Sequence, residues 1–399
     1  MTTIGKTKTV DSSVEEIKSL AQNAVTAIQT GDNKRARGLF EQAVALPGAD
    51  ASVWLGLAFS CGNLHDHAGA LAAVDMALRL DPRNIRANLF KGNHLDHTGE
   101  PRKALKFNKI ALRLATQMGS LPHDLQSGLQ HAEAFCKRFE AEYSDFLLQQ
   151  LSNEGFVPGN TEPRFWRSLD VMFGKAEIFN QAPRRYYFPN LPQIQFYERE
   201  TFEWLASVEA STDSIRAELE TAMMRAERFS PYLNGDDVHL SETGEELIDN
   251  NDWGALYLWN YGSLDKQNAA SAPSAIAALQ KAPLPEISGQ APMALFSRLK
   301  PHTTIPPHNG MLNTRLICHL PIIVPENCGA LRVGNEQREW EEGKTLIFDD
   351  SIEHEAWNNS DEDRVVLLFE IWRPELSIEE RAMVTVTLAA VRRFHDNQG

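Results

Sequence analysis

Three side chains late in this 399-residue chain have the types and spacing for metal-assisted chemistry. His308 stands in Pro-Pro-His-Asn-Gly, which reads as a Pro-rich turn, and His354 in Phe-Asp-Asp-Ser-Ile-Glu-His-Glu, where a strand begins. Neutral imidazole is the commonest protein ligand for iron, zinc or copper. A lone histidine is more often structural, but Arg364 follows the second one by ten residues in a run of Val, Leu and Phe, and the three together favour a site. A guanidinium there would clamp the far carboxylate of a dicarboxylic acid through charge-assisted bonds of about 1.5–3 kcal/mol each. The plainer alternative is a surface arginine paired with Asp361 or Asp363. Non-haem iron usually takes two histidines and one carboxylate. The place for that carboxylate, two residues after the first histidine, is Gly310.

These residues need a scaffold that brings distant strands together. From Ala294 onward the chain reads as short strands separated by turns: Ala294–Leu299, Thr314–Val324, Leu331–Val333, Glu336–Trp340, Lys344–Phe348, Glu355–Trp357 and Val365–Trp372. Such a pattern predicts an antiparallel sandwich or jelly roll with a binding mouth. Upstream, Trp253–Gly262 alternates like a strand and is aromatic enough to wall a pocket, although core packing is its plainer role. A helix is expected over about Thr201–Phe229, and the Asp236-Asp237 and Gly244 stretch reads as exposed loop.

The first third has a different period. Ala36, Ala70 and Ala104 are 34 residues apart, as are Ala43, Ala77 and Ala111, while Gly31 and Gly99 flank His65 at the same interval. Small residues at fixed points let paired helices approach closely. The spacing resembles the tetratricopeptide repeat (TPR) and gives about three repeats over Val14–Gln117, followed by a capping helix near Leu121–Gln149. Asn88 departs from the pattern at the position held by Trp54 one repeat earlier. Such a unit either offers a concave surface to a peptide or protein or only packs within the chain. His65, His67, His94 and His97 read as surface residues of this unit.

Composition narrows the classes. A formal net charge of -15 argues against a nucleic-acid groove and against loose adhesion to anionic lipid. No window has the roughly 18–20 apolar residues of a membrane span, and the N-terminus lacks a signal-like run. Cys61, Cys136, Cys318 and Cys328 show no CxxC spacing and read as buried thiols, so the cytoplasm is the expected compartment. The sequon at Asn358 then carries no glycosylation message.

Residues 294–376 closely resemble the aspartyl/asparaginyl β-hydroxylase family of Fe(II)/2-oxoglutarate oxygenases. The matching segments include Pro301-His-Thr-Thr-Ile-Pro-Pro-His308-Asn-Gly310, Asn313-Thr-Arg-Leu-Ile-Cys-His319-Leu, Val333-Gly-Asn-Glu and Trp340-Glu-Glu-Gly-Lys344. They continue with Phe348-Asp-Asp-Ser-Ile-Glu-His354-Glu-Ala-Trp357 and Trp372-Arg-Pro-Glu-Leu376, and weaker similarity runs back to about Pro192. The family includes members with tetratricopeptide repeats ahead of the oxygenase domain. The resemblance implies a helical repeat domain at 14–150, a connection at 151–190 and a double-stranded β-helix (jelly-roll, cupin-like) domain at 191–385.

The resemblance further implies Fe(II) on His308 and His354, with 2-oxoglutarate gripped by Arg364 and His319 and touched by the Ser297 hydroxyl. Ser297 is expected on a strand neighbouring that of His319. The family's better-known hydroxylases also lack the carboxylate ligand, as Gly310 does here, and Asp350 would hold a water in the vacant position. Arg315 and the Trp259-Asn260-Tyr261 segment are candidates for the substrate wall. The family often has a second basic residue two after Arg315, where this chain has Ile317. The implied reaction is hydroxylation of an unactivated C–H bond, at the β-carbon of an Asp or Asn residue in a peptide or protein held by the repeats. The alternatives are a small molecule or a lipid-linked acyl chain as substrate, or a scaffold without turnover, which would have no use for His308, His354, Arg364, His319 and Ser297.

Overall fold

The computed structural model describes residues 10–159, 163–223, 228–233 and 247–396, so the expected loop at Asp236-Asp237 and Gly244 lies outside them. The chain divides between Leu169 and Asp170 into two compact units.

The first unit is helical: α1 (Val10–Gln29), α2 (Asn33–Val44), α3 (Ala51–Asn63), α4 (His67–Leu80), α5 (Ile85–His97), α6 (Pro101–Thr116) and α7 (His123–Asn153). Helices α2, α4 and α6 start at 33, 67 and 101, and α3 and α5 at 51 and 85, so the 34-residue period of the sequence is the period of the fold. Both alanine series are fully buried, where a larger side chain would push the paired helices apart. Gly31, His65 and Gly99 end the first helix of each pair with φ of 82°, 59° and 79°, the left-handed conformation that closes a helix C-terminus. Asp32 and Asp66 then cap the following helices through the amides of Arg35 and Gly69. Buried Asn88 bonds back to the carbonyls of Asn84 and Pro82, which satisfies a polar group where the repeat pattern has an aromatic. Helix α7 covers the stack with Leu125, Leu129 and Ala132. The short helix α8 (Pro163–Met172) spans the division.

The second unit comprises β1 (Phe196–Tyr197), α9 (Leu205–Glu209), α10 (Thr212–Met223), β2 (Ser230–Pro231), β3 (Trp253–Asn260), β4 (Ser263–Leu264), α11 (Lys266–Ser271) and α12 (Pro273–Leu279). It continues with β5 (Ala294–Leu299), β6 (Thr303–His308), β7 (Arg315–Ile323), β8 (Ala330–Val333), β9 (Glu336–Glu339), β10 (Leu346–Phe348), β11 (His354–Asn358), β12 (Arg364–Trp372) and α13 (Ile378–Asp396). One sheet has the order β1-β10-β7-β12-β5-β3-β2 with β4 beside β3, and the other β6-β11-β8-β9. Every ladder between these strands is antiparallel, giving the expected double-stranded β-helix.

Period-2 alternation in the central strands decides where the chemistry goes. On β7, Leu316, Cys318, Leu320 and Ile322 pack toward α9, α10 and α12, as do Leu367, Phe369 and Ile371 of β12. Ile317 of β7, Val366 and Leu368 of β12 and Leu295 and Leu299 of β5 face the smaller sheet, packing with Ile305, Leu331 and Ala356. Ser297, Arg315, His319, Arg364 and Glu370 fall in this second phase. Because β12 is central and covered on both faces, its sequence is a nearly unbroken apolar run, and a charged residue in that run is conspicuous.

Several expectations are corrected. His308 is on no turn; it ends strand β6, because its backbone pairs with β11. The strand of Ser297 does not adjoin that of His319: β12 lies between them and bonds to both. The single helix expected over 201–229 is the short α9 and then α10, with a break after Glu209, whose carbonyl accepts the Thr212 hydroxyl. The expected 151–190 connection is cut by the division, and residues from Asp170 belong to the second unit. Amides of Ala182 and Arg184 donate to the carbonyls of Ser351 and Gly310, binding this stretch to the site loops. The unit also runs past 385, through α13.

Candidate active site

His308 and His354 are direct cross-strand partners at the ends of β6 and β11, and their ring centroids are 4.1 Å apart. Each Nδ1 lies by the backbone carbonyl two residues earlier, Pro306 at 2.8 Å and Ile352 at 3.0 Å. That contact requires the proton on Nδ1 and leaves the Nε2 lone pair for a ligand, the arrangement that orients metal-binding histidines. Burial pushes both imidazoles below their ordinary value, so each is held neutral. Two neutral, oriented imidazoles side by side in a cavity fit a divalent transition metal. Among the described residues no group of three or more His, Cys, Asp or Glu gathers as a metal set, so these two would be the protein's only ligands of those types there.

The same cavity also contains a guanidinium that an anion would suit. Arg364 is 1% exposed, yet its Nε and Nη1 have no hydrogen-bond partner. Burial pushes its guanidinium down to about 10, and no carboxylate opposes that shift. The expected alternative pairing fails: Asp363 faces Arg298 at 3.8 Å and Asp361 faces His302 at 3.0 Å. Trp340 lies under Arg364, 4.7 Å from ring centroid to guanidinium carbon, and stacks on His319 at 5.6 Å. His319 Nδ1 and Trp340 Nε1 are also buried without partners. Buried polar atoms are normally paired, so a group of unpaired atoms around one guanidinium marks a place for ligand oxygens. Ser297 Oγ accepts the Trp253 indole N–H at 3.2 Å, which leaves its own proton for a ligand.

Asp350 lines the same cavity. Its Oδ2 is 3.4 Å from Arg315 Nη2, and its Oδ1 is buried without a partner. Burial pushes its carboxyl up to about 7 against the pull of Arg315. A Cβ built on Gly310 would overlap the Asp350 carboxylate, so Asp350 occupies the space a side chain at 310 would need. The missing ligand at 310 and the acid at 350 are one steric arrangement. Arg315 lines the cavity but is matched by Glu370, with which it forms a close ion pair, and by Asp350, so it offers no uncompensated charge to an acidic substrate.

The cavity holds about 350 Å³ and takes in His308, His354, Ser297, His319, Arg364 and Asp350. Its outer wall is apolar, with Tyr186, Ile287, Met293, Leu312, Trp372 and Leu388 prominent. Trp259 and Asn260, expected on the substrate wall, are not part of it. A bulge between Tyr257 and Trp259 shifts the alternation, so Trp259 packs against the helix-side core and Asn260 points to solvent. Tyr261 of the same expected segment does line the cavity, as do Tyr257 and Trp253, and Trp253 stacks on Tyr232 at 4.0 Å.

Sequence reasoning missed Trp340 and Glu370 as site neighbours and the contribution of α13. Trp340 was legible, since it lies in a quoted motif. Glu370 was detectable as an acid inside the apolar β12 run.

The profile described as aspartyl/asparaginyl beta-hydroxylase matches residues 209–374. An ornithine lipid ester-linked acyl 2-hydroxylase of Rhizobium tropici is 36% identical over 228 residues, 57% of this chain and 75% of that protein. The human aspartyl/asparaginyl beta-hydroxylase is 30% identical over 236 residues, 56% of this chain but 31% of its own length. Among solved structures, the Arabidopsis OM64 TPR domain covers 32% of this chain and 98% of its own at 19% identity and a TM-score of 0.28.

Proposed function

Because this chain belongs to the aspartyl/asparaginyl β-hydroxylase family, we propose that it is an Fe(II)- and 2-oxoglutarate-dependent hydroxylase of an unactivated C–H bond. The observation that carries the reading is the unpartnered Arg364 guanidinium in the same cavity as the paired, neutral His308 and His354. Arg364 binds the distal carboxylate of 2-oxoglutarate with His319 and Ser297, and the two histidines hold the metal. Gly310 offers no carboxylate ligand, and Asp350, with its unpartnered Oδ1, would hold a water in that place. The bound iron supplies the centre at which dioxygen and 2-oxoglutarate react, so that one C–H becomes C–OH while 2-oxoglutarate leaves as succinate and carbon dioxide. The protein orients both substrates and excludes bulk water.

The apolar outer wall supports an acyl chain as the hydroxylated group, in line with what the rhizobial relative's name says of that protein. Arg315 already answered by Glu370, and Ile317 beside it, argue against a site for an acidic side chain. The second reading is the β-carbon of an Asp or Asn residue in a peptide or protein, favoured by a helical repeat unit of the kind that presents peptide-binding surfaces. Four buried free cysteines support a reducing, cytoplasmic setting. No helix among the described residues is long and apolar enough to cross a membrane.

Purified protein with Fe(II), ascorbate and 2-oxoglutarate should release succinate when given an extract, and His308→Ala should abolish it. Products heavier by one oxygen should appear in the lipid fraction for the first reading and in the peptide fraction for the second. No succinate from any fraction would overturn the hydroxylase reading.

A further inference from the structure

Helix α13 is apolar on two faces. Val384 and Leu388 pack inward against Ile287 and Ala291, while Leu388, Thr387 and Val391 form part of the cavity wall. The next face around the helix carries Met383, Val386 and Phe394, which are 56%, 65% and 61% exposed. These residues follow i, i+3 and i+11 spacing and form one stripe, with Ala390 between the last two. A surface helix normally turns charge toward water, so an exposed apolar stripe marks a contact. Exposed Tyr261 adds an aromatic ring at the same opening, where it lines the cavity with Tyr186.

Charge is arranged around the same opening. Exposed Arg185 lines the cavity, and Arg392 and Arg393 lie in the last turns of α13, the former against Gly289 of the cavity-lining 287–291 loop. The helix acids Glu379 and Glu380 lie at its far end, in the first turn, while Asp396 ends the helix in the turn that carries Arg393, and exposed Glu286 stands between cavity-lining Pro285 and Ile287. The chain as a whole is strongly acidic at -15, but screening over about 8–10 Å leaves the local balance to decide what this rim meets, and there Arg185, Arg392 and Arg393 outnumber Asp396 and Glu286. Apolar side chains, interfacial aromatics and arginines around one mouth are the composition of a surface that sits in a lipid headgroup layer.

We propose that the α13 stripe and the cavity rim dock on an anionic lipid surface, from which an acyl chain enters the cavity beside Thr387 and Val391. The proposal rests on the acyl reading of the outer wall. It explains why a helix should be apolar on both its packed and its outward face.

The test is co-sedimentation of the full-length protein with large unilamellar vesicles of phosphatidylcholine containing phosphatidylglycerol. Wild type should bind and release with rising salt. Phe394→Asp should bind roughly tenfold or more weakly, and so should Val386→Asp, while Arg393→Glu should lose the preference for phosphatidylglycerol. All three should keep the thermal stabilisation given by 2-oxoglutarate, because none touches that site. Wild type that ignores vesicles, or a Phe394→Asp variant that binds as well as wild type, would overturn the docking. A stable dimer by analytical ultracentrifugation that Phe394→Asp converts to monomer, without vesicle binding, would overturn it in favour of a second copy as occupant. Vesicle binding without succinate release would leave the docking standing and sink the hydroxylase reading instead.

Discussion

Two arginines lie among the largest fully buried side chains of the β unit, and they live under opposite rules. Arg373 is answered from every side: Asp349 at 2.6 Å, the Pro192 carbonyl at 2.6 Å, the Tyr197 hydroxyl at 2.8 Å and Glu375 at 3.2 Å. Arg364, only nine residues earlier, has an indole beneath it and two unpaired nitrogens. A buried cation without a partner costs several kcal/mol, so a fold that tolerates one has left its partner to come from outside. The adjacent acids divide the same way. Asp349 is fully buried and accepts from Arg373, Gln181 and Ser351, whereas Asp350 turns into the cavity. One member of each kind is satisfied within the fold and the other faces the cavity.

This contrast can be broken by substitution. Arg373→Met should destabilise the protein by about 3–5 kcal/mol in urea unfolding, because it strands Asp349 in the core. Arg364→Met should leave stability within about 1 kcal/mol or raise it, while weakening 2-oxoglutarate by roughly 10²–10⁴-fold in calorimetry, the loss of two charge-assisted bonds. Equal destabilisation by both changes would erase the distinction.

Smaller effects probe the Asp350 side. Gly310→Ala should cost about 1–3 kcal/mol through overlap with the Asp350 carboxylate. Adding Asp350→Ala should recover most of that, a coupling of at least about 1 kcal/mol in a double-mutant cycle. The same acid should also show itself as a pH slope. The Asp350 carboxyl is held near 7 in the folded protein, above its ordinary 3.8, so its contribution is fully present below about 3.8 and is lost as pH rises through about 7. Metal-free wild type should therefore lose stability relative to Asp350→Asn between pH 4 and 7, by no more than about 1.4 kcal/mol per pH unit. Parallel stability curves for the two proteins would contradict the raised value.

Much of this was legible in the chain. The alanines at 34-residue spacing gave the helical repeat because close helix packing admits only small residues at those points. The strands from Ala294 onward were readable from turns and alternation, and β5 matched to the residue. His308, His354 and Arg364 stood out by type and context. Phase and order were harder to read. The bulge that turns Trp259 away from the cavity leaves no mark in composition, and the insertion of β12 between the strands of Ser297 and His319 is a matter of sheet topology. Glu370 answers Arg315 across a ladder in which Arg315 pairs with Trp372, two residues further on. Helix α13, apolar on two faces, lacked the single stripe that marks a helix in sequence.

The most direct measurement of the central claim is thermal unfolding with Mn(II), a redox-inert stand-in for iron, with and without 2-oxoglutarate. Wild type should gain melting temperature on adding 2-oxoglutarate, and Arg364→Met, though as stable as wild type without it, should gain none. An Arg364→Met protein that still responds to 2-oxoglutarate, or one already unfolded like Arg373→Met, would contradict the assignment of Arg364 to the ligand.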